Sequence, residues 1–355
     1  MKRMHRILVT GAGGAPGVNF IQSLREAPEP FFIIGTDINR YHLQWPNVDG
    51  RYLVPRCTDS GYVDVLNDII RREEINFIHG QPDVEVAALS ENRDRIRAKN
   101  WLPSVQTVRI LQDKLYSGRV WENAGLHRHE TIVVQSREDV ERAGDVLGFP
   151  FWLRASTGAG GRGSTPVESV DAGAHWLAYW QGRGVDWTFI AQEYLPGADF
   201  AFQSIWKDGA LLTSQARERT EYIFPHLAAS ERTGTPIVAV TVHRDDVNQI
   251  ATKAVRAIDQ KATGIFCVDL REDRQGIPRP TEINCGRFFT TSLFFSRAGA
   301  NMPYQYVKLG LGEDPGPMTT YNAVPAGLCW IRHVDCPAVL ANFKDLDAIT
   351  CHKPL

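Results

Sequence analysis

Short all-apolar runs alternate with amphipathic stretches over the first hundred residues of this 355-residue chain. Residues 7–10, 31–36 and 75–80 read as buried strands, and residues 17–26 and 62–72 as helices between them. Such a βαβαβ rhythm predicts a parallel sheet. After Trp101-Leu102-Pro103 the rhythm changes, with helices predicted at 113–124 and 139–147; Ser136, three residues ahead of Asp139, supplies a capping-box-like start for the second. From Phe151 strands dominate, at 151–154, 188–192, 201–206, 211–216, 237–242, 265–270 and 280–284, with one long helix at 245–258. This is an α+β region, unlike the start. The Gly/Pro-rich stretch 310–317 reads as a linker, and the predicted division is 1–105, 106–195, 196–312 and 313–355.

Composition changes this picture only by exclusion. Lys plus Arg number 39 against 41 Asp plus Glu, so neither nucleic acid nor an anionic membrane is favoured as a partner. The six cysteines, Cys57, Cys267, Cys285, Cys329, Cys336 and Cys351, show no CxxC pairing and read as reduced thiols. No run approaches the roughly 20 apolar residues of a membrane span, and residues 7–10 are too short for a signal-peptide core; a cytoplasmic protein is expected.

Two glycine-rich segments compete for the chemistry. The first, Gly11-Ala-Gly-Gly14-Ala-Pro-Gly17, joins a strand to a helix whose N-terminal amides could cradle a pyrophosphate, and Asp37 after the next strand could take a ribose hydroxyl. That pattern suits an NAD(P)-dependent reductase or epimerase, which also calls for a tyrosine and lysine four residues apart; Tyr304 and Lys308 have that spacing. They stand some 290 residues beyond the first glycines, however, and past the strand-rich region, where an amphipathic helix with a solvated lysine accounts for them.

The second segment follows Arg154: Ala-Ser156-Thr157-Gly158-Ala-Gly160-Gly161-Arg-Gly163-Ser164, between two strands. Glycines there make a flap whose amides and hydroxyls can fold over phosphate oxygens, while Arg154 offers a bidentate fork. Downstream, Gln192-Glu193-Tyr194-Leu195 ends a strand whose backbone can read an adenine edge, with Asp199 placed for ribose. Asp269 lies on one strand, and Glu282 and Asn284 share a face of the next; a hairpin would bring the three oxygen donors together, a credible magnesium site. Arg217 and Arg219, in a polar run continued by Ser230, Arg232 and Thr235, could line an acceptor pocket and receive a carboxylate; surface ion pairs with the interleaved glutamates are the alternative.

The order and spacing of these motifs, from about residue 108 to 300, resemble the ATP-grasp superfamily, and the arginine-led glycine loop is similar to that of carbamoyl-phosphate synthetase. The start of the chain looks like the Rossmann-like domain that precedes ATP-grasp in such ligases and does not bind NAD. The resemblance implies a small lobe at 106–195, a large lobe with the metal site at 196–312, and an ATP-dependent carboxylate-amine ligase passing through an acyl phosphate. It assigns Lys114 (with Arg119 second) and Arg154 to the ATP phosphates, Ser156, Thr157, Gly160 and Gly161 to the flap, Gln192, Glu193, Tyr194, Leu195 and Asp199 to the nucleoside, and Asp269, Glu282 and Asn284 to two Mg2+ ions, with Mn2+ as substitute. Arg287 is assigned to the transferred phosphoryl group or substrate carboxylate. Small-molecule carboxylate and amine substrates follow, and a homodimer is compatible. The family commonly has Glu-x-Asn-Pro-Arg at the metal strand; here Cys285-Gly286 separates Asn284 from Arg287, which leaves the target of Arg287 open.

Overall fold

The computed structural model describes residues 4–158, 161–227, 235–334, 336–342 and 344. Four wholly parallel strands open the chain: β1 (His5–Thr10), β2 (Phe31–Asp37), β3 (Gly50–Leu53) and β4 (Phe77–Gly80), in the order β3-β2-β1-β4. Ile7, Leu8, Val9, Ile33 and Ile34 are almost fully buried, as expected for strands covered on both faces. Helix α1 (Ala15–Arg25) has Pro16 in its first turn, where the missing N–H is one that would be left unpaired anyway. Helices α2 (Tyr62–Arg72) and α3 (Asp83–Glu91) complete this layer, and α4 (Val105–Gln112) follows, capped by Ser104.

Helix α5 (Lys114–Asn123) leads to a second, antiparallel sheet of β5 (Ile132–Val134), β6 (Phe151–Ala155), β7 (Thr165–Val167) and β8 (Phe189–Glu193), ordered β5-β8-β6-β7. Phe151, Leu153 and Ala155 point into its core while Trp152 and Arg154 point the other way, the two-residue period of a half-buried strand. Helix α6 (Arg137–Leu147), with the Ser136–Asp139 capping box formed, and α7 (Val170–Gly182) cover the inner face.

The third sheet has seven strands: β9 (Asp199–Lys207), β10 (Ala210–Tyr222), β11 (Pro236–Val242), β12 (Gly264–Glu272), β13 (Pro278–Cys285), β14 (Leu328–His333) and β15 (Cys336–Asn342), in the order β13-β12-β9-β10-β11-β14-β15 and antiparallel throughout. One face, with Phe200, Phe202, Phe266 and Val268, packs on α8 (Asp245–Ile258) through Val247, Ala251 and Val255. Each buried Phe or Val among them contributes about 1.5–3 kcal/mol. The opposite face, with Ala201, Cys267 and Trp330, meets Phe289 and helix α9 (Ser292–Arg297). Helix α10 (Met302–Leu311) and α9 pack on α1, tied by Asn301 Nδ2 donating to the Ser23 carbonyl at 2.7 Å. Leu328–His333 and Cys336–Asn342, set apart by the sequence as part of a terminal segment, therefore extend the large sheet. The polar run from Arg217, expected beyond the end of a strand, is the second half of β10. Among the described residues no helix is long and apolar enough to cross a membrane, and Cys57, Cys267, Cys285 and Cys329 are free.

Candidate active site

The β12–β13 hairpin pairs Asp269 with Glu282 and Cys267 with Asn284 in register, so the three oxygen-bearing side chains expected together do meet. Asn284 Nδ2 donates to Asp269 Oδ2 at 3.3 Å. Among the described residues no group of three or more His, Cys, Asp and Glu has metal-holding geometry; this set is two carboxylates and an amide. Hard oxygen donors of that number fit a magnesium ion whose other ligands are phosphate and water.

Cations from another layer close on Glu282. Arg154 Nη2 donates to its Oε2 at 3.1 Å, and Lys114 Nζ lies 3.4 Å from its Oε1 while donating to the Gly158 carbonyl at 2.8 Å. Burial alone would raise the Glu282 carboxyl, but Lys114, Arg154 and Arg287 outweigh it and hold the group below its usual range. Lys114, 5 % exposed, is lowered by burial, with Glu282 opposing. Arg154 is placed by the β6 alternation, and Lys114 by the Asp113 cap, which accepts from the Leu115 amide. The Lys114 amide donates to the Ser156 carbonyl at 2.8 Å, docking α5 to the root of the glycine loop.

Two cavities meet at these groups. One of about 240 Å³ lies between the second and third sheets, walled by Trp152, Gln192, Glu193, Leu195 and Leu270. The other, of about 560 Å³, lies between the first and third sheets, walled by Gly14, Gln81, Asp83, Arg217, Arg287 and Phe289. Gly161, Arg219, Asp269 and Glu282 line both. The arrangement leaves room for one ligand against the end of β8 and another against the first domain, with two carboxylates and their cations at the junction.

Residues 7–102 match the family model described as PylC-like, N-terminal domain. No curated protein matches the chain. Among solved structures, N5-carboxyaminoimidazole synthetase from Staphylococcus aureus, complexed with ADP, superposes with a TM-score of 0.70 at 15% identity, covering 94% of this chain and 83% of that one. L-amino acid ligase from Bacillus licheniformis gives 0.69 at 12% identity, with 93% and 79% covered. The biotin carboxylase domain dimer of Hydrogenobacter thermophilus 2-oxoglutarate carboxylase, in complex with MgADP, ADP and bicarbonate, gives 0.69 at 15% identity, with 93% and 74% covered. The chain has an ATP-grasp fold.

The smaller cavity lies between the β5–β8 sheet and the seven-stranded sheet, the two expected as small and large lobe. Of the residues expected at the nucleotide, Gln192, Glu193, Leu195 and Gly161 line that cavity; Tyr194 does not, and its ring lies under Arg271. Ser156 is buried in the loop root, its amide donating to the Thr188 carbonyl at 2.8 Å; Thr157 and Arg119 are exposed and line neither cavity. Gly160, Ser230 and Arg232 lie outside the described residues. Asp199 lines the cavity but is engaged, accepting from Arg219 Nη1 at 3.0 Å and from the Tyr222 hydroxyl.

The three arginines expected at a substrate carboxylate behave differently. Arg219 bridges Asp199 and Asp269, whose charges outweigh burial and keep it protonated, and Arg287 is clamped bidentately by Asp83 of α3 while its Nη2 donates to Asn284 Oδ1 at 2.5 Å. Gly286, just before Arg287, has φ +73°, and a Cβ there would stand 2.7 Å from Val86 of α3, so this turn lies close against the helix that carries Asp83. Among the described residues, Arg217 lines the cavity with two unpaired N–H groups, Nε and Nη1, and has no carboxylate partner, whereas Arg219 leaves only its Nε unpaired.

The dinucleotide reading of the first glycine loop fails on geometry. Asp37 is consumed locally, accepting from the Gly13 amide at 3.2 Å and the Asn39 amide at 2.9 Å. Lys308 is buried between Glu29, at 2.6 Å, and Glu313, which leaves no catalytic pair with Tyr304. Sequence reasoning missed Asp83, Phe289, Trp152 and His127. His127 Nε2 sits 2.8 Å from the Pro280 carbonyl, and burial lowers the ring's pKa, so Nε2 carries the proton and donates. Only His127, close before β5 in a polar stretch, had a local signal.

Proposed function

We propose that the protein is an ATP-dependent ligase that activates a small-molecule carboxylate as an acyl phosphate for attack by an amine. The observation that carries this is the Asp269–Glu282 pair, met by Lys114 and Arg154 at the junction of two cavities. ATP occupies the smaller cavity with its base against the Gln192–Leu195 hinge and its phosphates at the junction. Asp269, Glu282 and Asn284 would hold Mg2+, which supplies positive charge against the phosphates. On nucleotide binding, Lys114 and Arg154 exchange Glu282 for phosphoryl oxygens, and Gly161 brings the flap over them.

A carboxylate oxygen then forms a bond to the γ-phosphorus as the bond to the β-bridging oxygen breaks and ADP leaves. The amine next attacks the acyl carbon, giving up a proton, and phosphate departs with the C–O bond. Such chemistry asks for positioning and charge neutralisation rather than a protein nucleophile, and the site consists of those parts. The similar folds of a synthetase, an amino acid ligase and a carboxylase support the reading.

The test is an ADP-release screen over carboxylic acids, each with and without amines, followed by mass spectrometry of the product. ADP release that requires Mg2+ and an acid is expected; stabilisation by NAD(P)H and not by Mg-ATP would overturn the reading. A saturating ligand at 100 times its Kd adds about 2.7 kcal/mol, which a melting experiment resolves.

A further inference from the structure

The larger cavity contains three carboxylates, Asp83, Asp269 and Glu282, and each is answered: Asp83 by Arg287, Asp269 by Arg219, Glu282 by Lys114 and Arg154. Arg217 is the charge left over. It is 1 % exposed, and its Nε and Nη1 are buried with no hydrogen-bond partner among the described residues. Phe289 and Phe295 cover its guanidinium at 5.0 and 5.5 Å from their ring centroids. A buried guanidinium with orphaned N–H groups is costly unless something anionic answers it; burial, with Arg219 adding to it, lowers its pKa to about 9.

The sheet register fixes where that anion would sit. Glu282, Asp269, Ala201 and Arg217 form one row across β13, β12, β9 and β10. Two strand spacings, about 10 Å, separate Arg217 from Asp269 along it. Arg219, two residues on, reaches back across β9 to Asp269, and Phe289 packs on both guanidinia, 5.0 Å from that of Arg217 and 5.4 Å from that of Arg219. An anion on Arg217 is thereby set apart from a carboxylate at the Asp269–Glu282 junction.

We propose that Arg217 binds a second carboxylate, distinct from the one that is activated, so that the substrate pair of this ligase carries two acid groups. This rests on the ligase reading above. The second group has two sources: a dicarboxylic acid as the activated substrate, or an amino acid as the amine.

Initial rates of ADP release, with three substrate pairs, separate them: a monocarboxylic acid with a simple amine, a dicarboxylic acid with the same amine, and the monocarboxylic acid with an α-amino acid. The wild-type protein should prefer the second or the third pair over the first by about 10- to 100-fold in kcat/KM, the range of a hydrogen bond to a charged group. Whichever pair wins names the source. Arg217→Met should collapse that preference, and Arg217→Lys should restore part of it. Equal use of all three pairs by the wild type, or a preference unchanged in both variants, overturns the inference and leaves the ligase reading standing. Absence of Mg-ATP stabilisation of the wild type sinks the ligase reading itself. If the methionine variant does not fold, the wild-type preference and the lysine variant decide.

Discussion

The two glycine-rich loops look alike as strings of residues and are opposites as structures. In the first, a Cβ at Gly11 would stand 2.2 Å from Pro82, at Gly13 2.5 Å from the His42 backbone, and at Gly17 2.6 Å from the Gly11 carbonyl. Those glycines allow close packing, against the Pro82 ring at Gly11 and against backbone at Gly13 and Gly17. In the second, a Cβ at Gly158 or Gly161 would meet nothing within 4 Å, yet both have positive φ, +94° and +71°. These serve freedom of the chain. Glycine lacks both a side chain to collide and a steric bar to left-handed backbone, and a motif written in letters does not say which property is in use.

The sharpest way to break the comparison is at the group behind the second loop. Glu282→Gln removes the charge that Lys114 and Arg154 share while keeping nearly the same volume. ADP release should fall on the order of 1000-fold, as for the loss of an electrostatic group at a transferring centre. Near-normal turnover with an unchanged melting curve would move the chemistry elsewhere.

How much of this was legible follows from how local each feature is. The parallel strands and the Asp269/Glu282/Asn284 hairpin were readable because apolar runs and a polar turn sit close in sequence. The second half of β10 was misread because Arg217-Glu-Arg-Thr-Glu221 is polar throughout and carries no apolar alternation; burial instead falls along it from Arg217 to Glu221, with a register shift between Arg219 and Glu221. The clamps on Arg287 and Arg219 join residues 204 and 50 positions apart, and no local pattern encodes such meetings.

The next largest effect is expected at the first loop. Gly11→Ala adds a Cβ against Pro82 at a φ of +57°, so overpacking and left-handed strain act together. A loss of about 2–4 kcal/mol in stability is expected, with the KM for ATP unmoved. Denaturant melts and ATP titration measure the two; a raised KM for ATP with unaltered stability would make this loop a nucleotide site after all.

That first domain should also show itself as a packed scaffold through pH. His79 is fully buried, stacked on Phe20 of α1 at 4.0 Å between ring centroids, with Nε2 2.8 Å from Gln81 Oε1. Burial, opposed by the Gln81 contact, lowers its pKa from 6.5 to about 4. The unfolded chain binds the proton first, so this contribution is intact above pH 6.5 and is lost as pH falls towards 4. The loss is on the order of 3 kcal/mol. Denaturant midpoints across that window should slope less steeply in His79→Gln; equal slopes would mean the ring is not buried as a neutral group.

The smallest effect belongs to Gly161→Ala, and it is the most discriminating. With nothing near the new methyl group, the whole penalty is the positive φ, about 1 kcal/mol. Gly161 is exposed, and if its backbone relaxes that strain in the resting protein the melting temperature should hardly change. If the flap must take up this backbone to cover the phosphates, the same penalty reappears on binding, raising the KM for ATP about 5-fold. The first loop would thus show its glycine requirement in stability and the second in affinity. An alanine that lowers the melting temperature here without touching ATP dependence would make both loops structural and erase the distinction.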